Sequence, residues 1–374
     1  MAFFNSGELE ALSLAAKWCP SIDSSFDKAT LICESIARKL FPREIYGEYE
    51  GVEEAHYAYR VRDRLRKEVL VPLRKALELP EVYIGDNNWG SIPYERVASV
   101  AMKFYKKKFV NHDGERFRKY LEDVAAGKKK KITAGALLPP EIVLGLGEGD
   151  DGTVAELQWR RMVDDMKKIG RFKNCMAVCD VSGSMAGTPM EVSVAMGLLV
   201  SDLSEEPWKG KVITFSANPK LQRVEGKSLA EKANFVRKMK WGMNTDLQKV
   251  FDLILQVAVN GRLKEEEMIR RIFVFSDMEF DVASRSDWET DYMAIMRKFK
   301  QMGYGNAIPE IIFWNLRESR ATPVGGNQKG VGLVSGFSKN QMKLFLDGEG
   351  IESPEEVMKV AISGEEYQKL VIVD

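Results

Sequence analysis

Cys175-Met-Ala-Val-Cys179 runs without a break into Asp180-Val181-Ser182-Gly183-Ser184-Met185, and the reading of this stretch decides the fold. The apolar run is too short for an ordinary helix. It suits a strand buried on both faces, as in parallel sheets. The polar residues after it predict a turn at the strand's carboxyl end, where ligands bind in open α/β sheets. Asp180, Ser182 and Ser184 alternate, so an extended turn would point three oxygen-bearing side chains the same way. Gly183 removes a Cβ that would crowd such a turn.

Downstream the same grammar repeats. Lys211-Val-Ile-Thr-Phe215, Ile272-Phe-Val-Phe275, Ile311-Ile-Phe-Trp314 and Val331-Gly-Leu-Val334 are short apolar runs bounded by polar or turn residues. Helical spacing fills 189–203, 228–240, 246–260 and 287–302 between them. Buried strands alternating with helices predict an α/β doubly wound, mostly parallel sheet over 172–374. Thr188-Pro189-Met190-Glu191 predicts a capped start for the first of these helices, with Thr188 as N-cap and Glu191 closing a capping box.

Two further oxygens belong with the Asp180 turn. Thr245 precedes the helix of Val250 and Phe251, and Asp277 follows the strand Ile272–Phe275, so both are expected on the same face of the sheet. Asp180, Ser182, Ser184, Thr245 and Asp277 offer two carboxylates and three hydroxyls, with neither imidazole nor thiolate. An all-oxygen set suits a hard divalent cation: Mg²⁺, at about 2.0–2.1 Å, or Mn²⁺ or Ca²⁺. Two carboxylates leave an open position for one more anion, such as an Asp or Glu from a partner protein. The bland alternative is that Asp, Ser and Gly merely make a turn, and that Thr245 caps a helix. Asp202 and Asp287 read as solvated surface charges.

The upstream half reads as all-helical. Apolar spacing near 3.6 marks 8–40, about 53–77 and about 94–124, with Pro72 expected to kink or split the middle helix. Val82-Tyr-Ile84 reads as a short extended piece before a turn. Lys128–Lys131, Pro139-Pro140 and Gly145-Leu-Gly-Glu-Gly-Asp-Asp-Gly152 are loop chemistry, so 127–171 is expected to be a linker and connecting helix between a helical region, 1–126, and the sheet domain. Arg60, Arg62 and Arg64 on one helix, with Lys106 and Lys107 on another, are the candidates for contact with RNA. A solvated helix face is the commoner meaning of such a pattern.

The Asp-x-Ser-x-Ser turn followed by Thr245 and Asp277 resembles the metal-ion-dependent adhesion site of the von Willebrand factor A family over 172–348. That resemblance implies serines on the metal, a threonine that binds directly or through water, and aspartates acting mostly through water. Met243 and Asn244 depart from the family's usual glycines before the threonine, and Glu279 stands where a glycine is expected. With Ser276-Asp-Met-Glu-Phe-Asp281 and the helical stretches 59–72 and 92–124, the chain also resembles an uncharacterised plant family. Its members join a TROVE-like helical region to a C-terminal A-type domain, the architecture of Ro ribonucleoproteins. That likeness implies further helical sequence in complete members and a Ro-type RNA-associated role as the alternative to protein binding.

Composition sets the remaining bounds. Lys plus Arg and Asp plus Glu are 55 each. With no net charge, nothing draws the whole chain to nucleic acid or an anionic membrane. Cys19, Cys33, Cys175 and Cys179 form no CxxC pair and fit free thiols in a reducing compartment. The sequence shows neither a signal-peptide pattern nor an apolar run near the ~20 residues that span a bilayer, so a cytoplasmic or nuclear protein without membrane contact is expected. His56 and His112 are the sole histidines, which argues against a catalytic triad or a His-rich zinc site. No phosphate-binding GxxxxGK[ST] occurs, and an all-oxygen site without an evident general base points away from an enzyme.

Overall fold

The computed structural model describes residues 15–128, 132–147, 150–216, 218–239, 247–278, 288–317, 327–346, 350–351, 353–365 and 367, with side chains of 288–292 excepted. The chain divides into two compact units. One comprises Met1–Ala101 with Lys108–Tyr120, the other Met102–Lys107 with Leu121–Asp374.

The first unit is helical. Helix α1 (Ile32–Leu40) and α2 (Glu54–Arg64) bury Cys33, Ala37, Tyr57 and Val61 against Phe41, Tyr49 and Leu65. Pro72 does not split the helical run after α2. The chain instead widens into a π-helical stretch, Leu65–Leu70, and continues as α3 (Val71–Ala76). The Val71 N–H bonds the carbonyl of Arg66, five residues back. Widening beside Pro72 accommodates a ring that would otherwise meet the preceding turn's carbonyl. Val82-Tyr-Ile84 is not extended: it lies within α4 (Pro80–Gly85), where Pro80 at the first turn presets a helical φ. Helix α5 (Ser99–Ala125) breaks at Asp113, whose φ of −146° and ψ of 38° are not helical. There the carboxylate accepts the Tyr94 hydroxyl at 2.7 Å and the Arg116 Nε at 2.7 Å.

The second unit is built on a six-stranded sheet in the order β3-β2-β1-β4-β5-β6. Strands β1 (Cys175–Cys179), β2 (Lys211–Thr214), β4 (Arg271–Ser276), β5 (Glu310–Asn315) and β6 (Val331–Ser335) match the expected runs and pair in parallel. The sequence reading missed β3 (Leu221–Arg223), antiparallel to β2 at the edge, because none of its residues is buried.

Alternate residues of each strand face opposite layers. Ala177, Cys179, Phe273, Phe275, Ile312 and Trp314 point to one layer; Met176, Val178, Ile272, Val274, Ile311 and Phe313 point to the other. Helix α8 (Thr188–Leu203) covers the first layer. Helices α9 (Leu247–Gly261) and α10 (Trp288–Gln301) cover the second through Val250, Phe251, Ile254, Ile295 and Phe299. Cover on both faces is why the strands are apolar throughout.

Part of the expected linker, Pro139–Leu144, is a correction, whereas the expected connecting helix is present. Helices α6 (Pro139–Leu144) and α7 (Thr153–Ile169) pack on the first layer, burying Ile142, Val143, Trp159 and Met162 in the sheet's own core. Pro139 and Pro140 open the first turn of α6, glycines follow it, and apolar side chains of both helices supply the burial. Asp202 is likewise no free surface charge, since it accepts the Trp159 indole N–H at 2.8 Å. Among the described residues no helix is long and apolar enough to cross a membrane.

Candidate functional site at the carboxyl ends of β1 and β4

Strand β1 pairs with β4 so that Cys179 lies opposite Phe275, and the Asp180 N–H continues the ladder to the Phe275 carbonyl at 3.0 Å. This register sets Asp180 beside Ser276 and Asp277. Both aspartates are buried, at 2% and 1% exposure. Val181 and Met185 anchor the intervening turn in the core. The chain stays extended to Ser182 and then makes a 3₁₀ turn, Gly183–Met185, in place of the fully extended turn expected. The turn brings the Ser182 and Ser184 Oγ atoms to 3.0 Å from each other, with Ser182 half-buried and Ser184 exposed. Two buried carboxylates and two hydroxyls, one half-buried and one exposed, therefore share the carboxyl ends of β1 and β4.

Each Asp180 oxygen has a donor. The Ser182 N–H reaches Oδ1 at 2.9 Å, and the Ser276 Oγ–H reaches Oδ2 at 3.0 Å. Burial raises the Asp180 carboxyl above its ordinary value, the neighbouring Asp277 charge adds to this, and the bonds from Ser182 and Ser276 oppose it. Two like charges in a low-dielectric place are costly unless a cation joins them.

No group of three or more His, Cys, Asp or Glu that could hold a metal occurs among the described residues. The present set has two carboxylates and relies on hydroxyls for the rest, which suits a hard oxygen-seeking cation. Thr245 and the variant positions Met243, Asn244 and Glu279 lie outside the described residues, as does Asp287.

Ser276 is the neighbour that sequence reasoning missed. Its signal was a hydroxyl closing an otherwise apolar run, Ile272–Phe275, immediately before Asp277. Met278, the next residue after Asp277, has a φ of 63°, so the left-handed position in this turn is occupied by a side chain. The helix α8 start also differs from expectation. Gly187 occupies the N-cap, with φ 92°, and Glu191 makes no capping box; it receives two bonds from Arg237, at 2.9 and 2.5 Å.

The five basic candidates separate clearly. Arg62 pairs with Asp23 and approaches Asp27 at 3.6 Å. Arg64 binds Glu48 at 2.6 Å and Glu68 at 2.9 Å, and its guanidinium lies over Phe41 and Tyr46. Arg60 donates to the Glu48 carbonyl at 3.2 Å and covers Tyr49. Lys106 is a correction: it is buried, paired with Asp150 at 3.0 Å and donating to the Gly145 carbonyl at 2.6 Å. Lys107 alone of the five is exposed without a described partner.

A domain of unknown function, DUF7788, matches residues 174–371, more than half of the chain. The chain belongs to the DUF7788 family. A second domain of unknown function, DUF2828, matches residues 1–172, so the DUF7788 match begins one residue before β1 and takes in the whole sheet and the Asp180 site. Among curated proteins the chain is 33% identical over 357 residues to "Uncharacterized protein L728" of Acanthamoeba polyphaga mimivirus. That alignment covers 91% of this chain and 58% of the viral protein, so the chain spans little more than half of that relative's length. Among solved structures, the Ro (RSR) protein of Deinococcus radiodurans aligns with a TM-score of 0.42 at 15% identity, over 91% of this chain and 64% of that one.

Proposed function

We propose that the DUF7788 part of this chain is a von Willebrand factor A-like, divalent-cation-dependent protein-binding module and not an enzyme. Asp180, Ser182 and Ser184, with Asp277 and Thr245, would hold Mg²⁺, or Mn²⁺ or Ca²⁺ in its place. An acidic side chain of a partner protein would complete the coordination. The observation that carries this reading is that two carboxylates, Asp180 and Asp277, are buried at the adjoining ends of parallel strands β1 and β4, with the Ser182 and Ser184 hydroxyls, 3.0 Å apart, in the turn that follows Asp180. A cation offsets the repulsion between the carboxylates, and the open side gives an anionic partner its approach.

The test is thermal unfolding in EDTA and in Mg²⁺. A ligand that binds only the folded state raises stability by about 2.7 kcal/mol when present at a hundred times its Kd. Wild type should melt higher in Mg²⁺ than in EDTA, and Asp180→Ala should melt alike in both. A wild-type melting temperature indifferent to the cation would sink the proposal.

A second reading, an RNA-associated scaffold of Ro type, rests on the resemblance carried by 59–72 and 92–124. Arg60, Arg62, Arg64 and Lys106 are engaged within the protein, so this reading leans on Lys107 and on residues not among the five. It predicts RNA retention that weakens steeply as salt rises, because phosphate contacts release counterions. No retention of RNA at low salt would remove it.

A further inference from the structure

Resting on the cation-site reading, we propose that Ser276 is a positioning residue of that site, fixing the Asp180 carboxylate in the orientation from which it serves the cation. Ser276 closes β4 at 1% exposure, and its hydroxyl bridges two groups. The Oγ accepts the Met278 N–H at 3.2 Å and donates to Asp180 Oδ2 at 3.0 Å. With one direction taken by a backbone donor, the hydroxyl hydrogen is left for the carboxylate, and its rotor is set. The Ser182 N–H holds the other oxygen at 2.9 Å, so Asp180 is gripped from both sides, once by its own turn and once across the sheet.

The grip joins the two halves of the site. Ser276 immediately precedes Asp277, and it also binds the N–H of Met278, whose φ of 63° turns the chain away after Asp277. One hydroxyl thus ties the β1 carboxylate to the segment that carries the β4 carboxylate. Groups that orient metal ligands without touching the metal typically change affinity 10- to 100-fold when removed.

The experiment titrates full-length wild type, Ser276→Ala, Ser276→Thr and Ser276→Cys with Mn²⁺, following bound metal by electron paramagnetic resonance, with Asp180→Ala as the blank. Melting temperatures in EDTA are recorded in parallel. The expected result is about 10- to 100-fold weaker Mn²⁺ binding by Ser276→Ala, recovery in Ser276→Thr, and an intermediate loss in Ser276→Cys, whose thiol is a weaker donor. The EDTA melting temperatures should not follow that order. Ser276→Ala binding Mn²⁺ within twofold of wild type overturns the inference. If Ser276→Ala does not fold, wild-type affinity in Ser276→Cys overturns it instead. Wild type binding no more Mn²⁺ than Asp180→Ala would defeat the cation-site reading itself, an outcome distinct from parity between wild type and the Ser276 variants.

Discussion

Asp27 carries more of the helical unit than its place in a six-residue helix suggests. One of its oxygens accepts the Cys33 N–H at 3.0 Å, the other accepts the Asp23 N–H at 3.0 Å, and Arg62 lies 3.6 Å away. Burial pushes the Asp27 carboxyl up, but the bonds from Cys33 and Asp23 and the charge of Arg62 outweigh it, and the net shift is downward. A carboxyl lowered by folding stabilises the folded state above its unfolded pKa, about 3.9, and that contribution is lost as pH falls through the folded value. Acid titration followed by circular dichroism should therefore show a helical loss below about pH 4 that Asp27→Asn diminishes. At neutral pH, Asp27→Ala leaves two backbone donors unserved and should cost about 1–3 kcal/mol in chemical denaturation. The same scale explains why the basic stretch around Arg62 and Arg64 is structural: its charges close ion pairs and cover aromatic rings inside one unit.

At the scale of elements, the contact of α8 with β1 depends on a missing side chain. A Cβ at Gly197 would overlap the Cys179 sulfur. Gly197→Ala should destabilise the protein by about 1–3 kcal/mol, the usual cost of overpacking a core. Cys179→Ala should recover part of that loss, a coupling that a double-mutant cycle measures. Burial holds the Cys179 thiol up at about 12, so it stays protonated and packs as an apolar group. At the other end of the strands Arg271 binds Glu310 at 2.7 Å and the Phe345 carbonyl at 2.7 Å, while Glu310 accepts the Ile351 N–H at 2.7 Å. This pair, Arg271 buried and Glu310 half-buried, fastens later segments of the chain to β4 and β5. Glu310→Ala removes the carboxylate that faces the buried Arg271 guanidinium and should cost about 3–5 kcal/mol in equilibrium unfolding. A loss below 1 kcal/mol would show that the pair does not secure those segments.

Across the whole molecule, the two units were legible to different depths. The parallel strands could be read because cover on both faces requires uninterrupted apolar runs, and Ile272–Phe275 and Ile311–Trp314 have no other economical meaning. The edge strand β3 was hidden because its side chains are not buried. In the helical half, Pro72 and Val82-Tyr-Ile84 misled for the opposite reason: local preference was read where packing and the first-turn tolerance for proline prevailed. Pro139–Leu144 looked like linker from its prolines, yet Ile142 and Val143 complete one layer of the sheet together with the helix expected after it. Asp180, Ser182, Ser184 and Asp277 were read as candidates from their places at strand ends, and the structure puts them there, whereas the Ser276 hydrogen bond to Asp180 exists only across the β1–β4 pairing.

The sequence by itself determined the periodicities, and hence which segments are strands, which are helices, and where oxygen-bearing side chains leave the sheet. These are local properties of a chain that must bury its apolar residues. Only the tertiary structure decided which charges are paired inside the protein, as with Lys106 on Asp150, and which are buried near a like charge, as with Asp180 near Asp277. Ion pairing and desolvation depend on groups distant in sequence, and no spacing along the chain records their meeting.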